Sequence, residues 1–185
     1  PSLRDKILIQ SKCGIRFAGD PHPGAPHRFD FSREHILECA EASLRRLKTD
    51  YLDVYLLHRP YARMEPEEIA GAFSRLQQDG KVRWFGVSNF TAAQLELLRC
   101  TLDVPLITNQ LQFSLRHTML IDEGQAFNRV TDRPLDPVLG TLDYCRLHGI
   151  TVQAWSPLAK GQLRNPPPED ADDRDRELIE TIAAV

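Results

Sequence analysis

Five short apolar runs recur along the chain, and each finishes on a polar residue: ILIQSK at Lys12, VYLLH at His58, WFGVSN at Asn89, LITNQ at Gln110 and VQAWS at Ser156. Between the runs, apolar residues return every three to four positions. The runs predict buried strands and the intervening pattern predicts amphipathic helices. A chain that alternates in this way builds a parallel sheet with right-handed crossovers. The polar endings therefore share the carboxyl face of that sheet, where ligands bind in such folds.

The pattern fixes most elements. After a strand at Ile7 to Lys12, Ser32 caps a helix to Leu47, with Ile36, Leu37, Ala40, Leu44 and Leu47 turned inward. A strand from Asp53 to His58 stops before Pro60. A helix from Glu65 to Gln78 buries Ile69, Phe73 and Leu76. Strands follow at Val82 to Ser88, Pro105 to Gln110 and Thr151 to Ser156, with helices at Thr91 to Arg99, Val138 to His148 and from Arg174 onward. Three segments break the alternation. Residues 14–30 hold enough Pro and Gly to predict an irregular loop, residues 119–137 read as an insertion loop, and residues 164–173 read as a solvated, Pro-rich acidic loop. The chain, 1–185, reads as one domain. An open doubly wound sheet and a closed barrel both fit the periodicity, but no GxGxxG or GxxxxGK[ST] motif favours the open, nucleotide-binding form.

Composition narrows the function. The 185 residues are 42% hydrophobic and 26% charged, which suits a globular domain with a core, and the net charge of −3 supplies no broad basic surface for nucleic acid or anionic membrane. No apolar stretch reaches the roughly 20 residues that span a bilayer. The opening PSLRDK lacks an apolar export core. Cys13, Cys39, Cys100 and Cys145 are too scattered for a zinc site and read as reduced thiols of a cytoplasmic protein. Alternation turns Cys13 away from Lys12. His22 and His27 lack a third ligand at suitable spacing, so no metal is expected.

Several motifs in order resemble the aldo-keto reductase family: ILIQSKCG, SLRRLKTDYLDVYLLHRP, LQQDGKVRWFGVSNF, TNQ and AWSPLAKGQL. The likeness covers nearly the whole chain apart from residues 119–137. It implies a (β/α)8 TIM barrel that uses NADP(H), or less often NAD(H), to reduce a small-molecule aldehyde or ketone. By the same likeness Lys12 is the lysine that lowers the pKa of a proton-donating tyrosine, and His58 orients the substrate carbonyl. Ser88, Asn89 and Gln110 match the residues that hold the nicotinamide carboxamide. Trp155 matches an aromatic stacked on the ring, and Ser156, Leu158 and Gly161 match a turn beneath the pyrophosphate. Elementary chemistry supports these residue types. Hydride addition builds charge on an oxygen that needs donors aimed at it, and paired amides complement a carboxamide.

Two family elements have no match here. The Asp and Tyr of the catalytic tetrad precede the lysine strand, and Tyr51, Tyr55, Tyr61 and Tyr144 all fall elsewhere. The basic cluster that reads the adenosine 2′-phosphate is also absent. The expectation is a partial barrel of about five central units, incomplete at both ends. A cofactor-binding regulatory module, or a truncated pseudoenzyme of the same fold, is the alternative to an active reductase.

Overall fold

The five apolar runs form the five strands of one parallel sheet, in the order β1 (Gln10–Cys13), β4 (Leu52–Leu57), β5 (Val82–Ser88), β6 (Leu106–Gln112) and β7 (Thr151–Trp155). A computed structural model describes residues 3–126, 140–164, 166–169 and 171–184. Helices α1 (Arg33–Leu47), α2 (Pro66–Gln78), α3 (Ala92–Arg99) and α5 (Thr141–Leu147) return the chain between strands, and α6 (Asp173–Ala183) follows β7. Among the described residues no helix is long and apolar enough to cross a membrane.

Local chemistry starts the helices where the pattern placed them. The Ser32 side chain accepts the His35 N–H ahead of α1, and Thr91 and Gln94 bond reciprocally as a capping box ahead of α3. Each such cap is worth about 1 kcal/mol. The outer side of the sheet packs on the helices through Tyr55, Leu57, Phe85 and Val87, which meet Ile36, Ile69, Phe73 and Leu95 in one core. Phe73 and Phe85 stack with ring centroids 4.1 Å apart. Leu47, expected inward, is 48% exposed, because it sits in the last turn of α1 where Lys48 turns left-handed at φ 52.

The other side of the sheet is concave, and two glutamines measure its curvature. Gln10 on the first strand donates through Nε2 to Gln153 Oε1 on the fifth at 3.1 Å. Across four strand spacings of a flat sheet those backbones would stand roughly 19 Å apart, beyond the reach of two such side chains. The sheet is thus bent into the arc of a barrel. Gly86 permits the packing on its inner face: a Cβ there would lie 2.6 Å from the Thr108 carbonyl oxygen and 2.8 Å from Leu56 Cδ2.

Four expectations need correction. The first strand starts at Gln10 and not at Ile7, leaving Ile7 and Leu8 exposed. Residues 14–30 are not wholly irregular: β2 (Ile15–Arg16) pairs antiparallel with β3 (Arg28–Phe29). Side chains hold this hairpin, with Arg16 Nε 2.6 Å from Asp30 Oδ2 and Arg28 Nη1 bonded to the Asp20 carbonyl at 2.7 Å, while the prolines stay in the connection between the strands. The hairpin docks closely because Gly14, at φ 104, leaves room for Phe31, whose Cε1 would lie 1.9 Å from a Cβ. Residues 119–137 open with a helix, α4 (Met119–Ala126), started by Thr118, whose carbonyl accepts from the Ile121 and Asp122 N–H groups. Residues 127–139 lie outside the described residues. The acidic loop ends earlier than expected, since Asp172 caps α6 and Asp173 is its first residue.

At the amino end of the strands, Asp53 is 2% exposed and its carboxylate is fully engaged. It accepts the Ile9 N–H at 2.9 Å, lies 2.7 Å from Arg4 Nη2 and 3.1 Å from Arg83 Nη1, and both guanidinium groups stack on the Tyr51 ring at 3.8 and 3.9 Å. Arg4 also bonds Thr49 and the Tyr51 carbonyl. Burial alone would raise the Asp53 pKa, but the amide and the two arginines outweigh it and hold the carboxyl below its usual value.

Candidate active site

The carboxyl rim of the sheet is built from the residues that end the apolar runs. Register places Lys12 beside Leu56 and Ser88 beside Gln110, and Gln110 beside Gln153. Alternation turns Lys12, Ser88, Gln110, Gln153 and Trp155 to the concave side, while Cys13 turns to the helices and is 4% exposed. Lys12, His58, Ser88, Asn89, Gln110 and Trp155, together with Arg59, line one hollow of about 220 Å³. Five strands thus contribute to one cavity.

Asn89 ties this rim together. Its backbone is left-handed at φ 64, a conformation asparagine tolerates, and its N–H donates to the Gln110 carbonyl at 3.0 Å. The side-chain Nδ2 donates to the His58 carbonyl at 3.2 Å and to Ser88 Oγ at 2.9 Å, and Oδ1 accepts the Trp155 indole N–H at 2.9 Å. Ser88 Oγ in turn donates to the Gln110 carbonyl at 2.8 Å. One amide therefore joins the ends of β4, β5 and β7, and both of its N–H groups are occupied by protein. The same bonds turn Asn89-Phe90-Thr91, formally a glycosylation sequon, into a strand-to-helix turn.

Other groups at the hollow keep unused capacity. The Lys12 ammonium makes no hydrogen bond or ion pair with any described residue, and partial burial lowers its pKa. The His58 ring likewise has no hydrogen-bond partner among them. Burial, then the charges of Lys12 and Arg59, lower its pKa, so the imidazole is neutral near pH 7. Gln110 donates to Gln153 at 3.2 Å, while its Oε1 accepts nothing from the described residues. No aspartate or glutamate of the described residues lines the hollow, which leaves a positive field inside a chain of negative net charge.

The remaining residues chosen from the sequence lie in the turn after β7. Ser156 lines a neighbouring hollow of about 410 Å³ with Gln112, Ser114, Arg116, Lys160 and Gln162, among others. Leu158 is 78% exposed and lines neither hollow, and Gly161 closes a 3₁₀ turn at φ 81. Ser156, Ala159 and Lys160 are also left-handed, at φ 53, 46 and 56. Non-glycine residues held there store backbone strain, which concentrates at functional turns.

Sequence reasoning passed over Arg59, Gln10, Gln153 and Arg116. Arg59 follows His58 directly and lines both the first hollow and a further one of about 240 Å³ shared with Asn89, His117, Met119, Leu120 and Trp155. Gln10 and Gln153 stand two residues before Lys12 and Trp155, so a period of two would have placed them on the same face. Arg116 carried no such signal: it bonds Gln162 and pairs with the buried Asp175 at 2.8 Å, tethering the turn after β6 to α6. The loop histidine His27 is packed edge-on against Phe17 and Phe29, and among the described residues no cluster of His, Cys, Asp and Glu is arranged to hold a metal ion.

Comparison with known proteins identifies the family and the fold. The family model described as "Aldo/keto reductase family" matches residues 1–183. "Oxidoreductase YdhF" of Escherichia coli (strain K12) is 40% identical over 185 residues, covering 100% of this chain and 54% of its own length. A protein named 6-dehydroglucose reductase, from Agrobacterium fabrum, is 36% identical over 164 residues, 88% of this chain and 50% of its own. The solved glycerol dehydrogenase AKR11B4 from Gluconobacter oxydans superposes with a TM-score of 0.70 at 27% identity, over 93% of this chain and 48% of that one. The chain spans about half the length of the curated relatives it matches, and its five-stranded arc is part of the (β/α)8 barrel of those structures. By its motifs, its sheet and the family model alike, the chain belongs to the aldo/keto reductase family.

Proposed function

We propose that this chain forms the nicotinamide and carbonyl side of an oxidoreductase that reduces an aldehyde or ketone with NADP(H), NAD(H) being the other candidate. One observation carries the reading. Six of the nine residues picked from the sequence, drawn from five well-separated places along the chain, line a single hollow at the carboxyl ends of five strands. The fit to a nicotinamide head rests on what the hollow leaves unsatisfied: an ammonium, a neutral imidazole and an amide oxygen beside an aromatic wall.

A bound nicotinamide cofactor supplies the hydride. The protein's part is to hold a carbonyl, stabilise charge on its oxygen and help deliver a proton. His58, neutral, donates a ring N–H to that oxygen. Lys12, without a carboxylate to neutralise it, favours negative charge at the oxygen and on any hydroxyl that protonates it. Trp155, fixed by Asn89, forms a flat apolar wall, and Gln110 recognises the carboxamide, with Ser88 and Asn89 as the frame behind it. The turn from Ser156 through Leu158 to Gly161, with Lys160 in it, holds the phosphates.

Titration of the purified protein with NADPH, followed by assay with a model aldehyde, tests this. Binding with turnover is expected, and Gln110→Ala should weaken binding about tenfold. Failure of both NADPH and NADH to bind at millimolar concentration would refute it. The second reading, a regulatory module that binds cofactor with little turnover, is favoured by the fact that none of the four tyrosines lines the hollow. It predicts NADPH binding without aldehyde reduction.

A further inference from the structure

We infer that Gln153 is a positioning residue: it fixes which end of the Gln110 amide faces the hollow, and so makes the site select a ring bearing a hydrogen-bond donor. This rests on the nicotinamide reading above and specifies how that ring is read. Gln153 Oε1 accepts from Gln110 Nε2 at 3.2 Å and from Gln10 Nε2 at 3.1 Å. A carbonyl oxygen has two lone pairs, so both are occupied. The three side chains come from β6, β7 and β1, and register sets Gln110 directly beside Gln153.

The consequence lies at Gln110. A terminal amide rotates in a broad, two-fold well, so an untethered glutamine exchanges its oxygen and nitrogen at little cost. Here the nitrogen is drawn to Gln153, and Oε1 is the end without a donor among the described residues. Asn89 cannot replace it as a selective reader, because both of its N–H groups are taken by the His58 carbonyl and Ser88 Oγ, and its Oδ1 already accepts from Trp155. A ligand group set against Gln110 Oε1 must therefore offer a donor. A carboxamide does so, whereas a methyl ketone in the same place leaves that oxygen without a partner. Gln10, at the far end of the relay, occupies the second lone pair of Gln153 and keeps that side chain from turning away.

The test compares dissociation constants, by calorimetry on the purified protein, for NADP⁺ and for 3-acetylpyridine adenine dinucleotide phosphate, whose acetyl group has no N–H. The unaltered protein should prefer NADP⁺ by about tenfold. Gln153→Leu should reduce that preference to less than about twofold, mainly by weakening NADP⁺. Gln153→Glu, which keeps an acceptor toward both neighbours, should retain it. The ratio between two ligands on one protein is insensitive to a general loss of stability, so a merely structural role would leave it unmoved. A tenfold preference surviving Gln153→Leu, its loss in Gln153→Glu, or equal affinities in the unaltered protein would overturn the inference while leaving the nicotinamide reading intact. Failure of both dinucleotides to bind would bring down the two together.

Discussion

The two ends of the same sheet treat their polar groups in opposite ways. At the amino end the Asp53 carboxylate has an amide and two guanidinium groups around it, and both arginines rest on Tyr51. At the carboxyl end the Lys12 ammonium and the His58 ring have no hydrogen-bond partner among the described residues, and Gln110 keeps an open acceptor. Buried polar groups cost stability unless they are matched. A matched set is explained by folding alone. An unmatched set, held rigidly by Asn89 and by the strands beneath it, is capacity that a ligand can fill.

If the contrast is real, changes at the two ends should separate activity from stability. The largest effect is expected from Lys12→Met, which removes the cation beside the reacting oxygen: turnover of an aldehyde should fall by about 100-fold or more, with NADPH affinity and the melting temperature little changed. Steady-state kinetics and a thermal melt check this, and equal turnover in the two proteins would erase the distinction. Next comes the mirror experiment. Asp53→Ala leaves the Ile9 N–H and two arginines without their acceptor and should cost about 2 kcal/mol in urea unfolding, with NADPH affinity preserved. The same substitution should flatten acid denaturation. Because the Asp53 carboxyl is held below its unfolded pKa, its contribution is present above that value and fades as the pH falls through the folded one.

The smallest effect concerns pH at the carboxyl end. His58 has a lowered pKa, so it stays neutral as the pH drops through 6.5 and gains its proton only in more acid solution. On this account turnover per bound substrate should hold near neutral pH and decline only in solution more acid than the ordinary imidazole range. Arg59→Gln removes one of the positive charges that disfavour protonation, which should raise the His58 pKa and move the acid limb to higher pH by a fraction of a unit. A limb that stays in place or moves the other way would show that Arg59 does not hold down the pKa of this histidine.

The sequence is legible where periodicity is strong. The three central runs and their helices emerge almost at the positions read from them, because each depends on residues next to one another, whereas the first run is strand only from Gln10 and the fifth is not fully buried. The hairpin at residues 15–29 was hidden because its pairing depends on Arg16 reaching Asp30 and on Phe31 passing over Gly14, contacts that no local pattern encodes. The helix at Met119–Ala126 was hidden by the Asp and Gly within it. At the site, motif order gave Lys12, His58 and Gln110, but the partners that orient them are long-range: Gln10 and Gln153 are 143 residues apart. Leu158 lies in the expected turn and is open to solvent.

The Gln10–Gln153 contact also bears on how a cylinder of this kind is assembled. A ribbon without cross-links takes its bow from whatever encloses it, so its radius is decided by the last piece to arrive. Here a clasp between the outermost staves favours one radius from within.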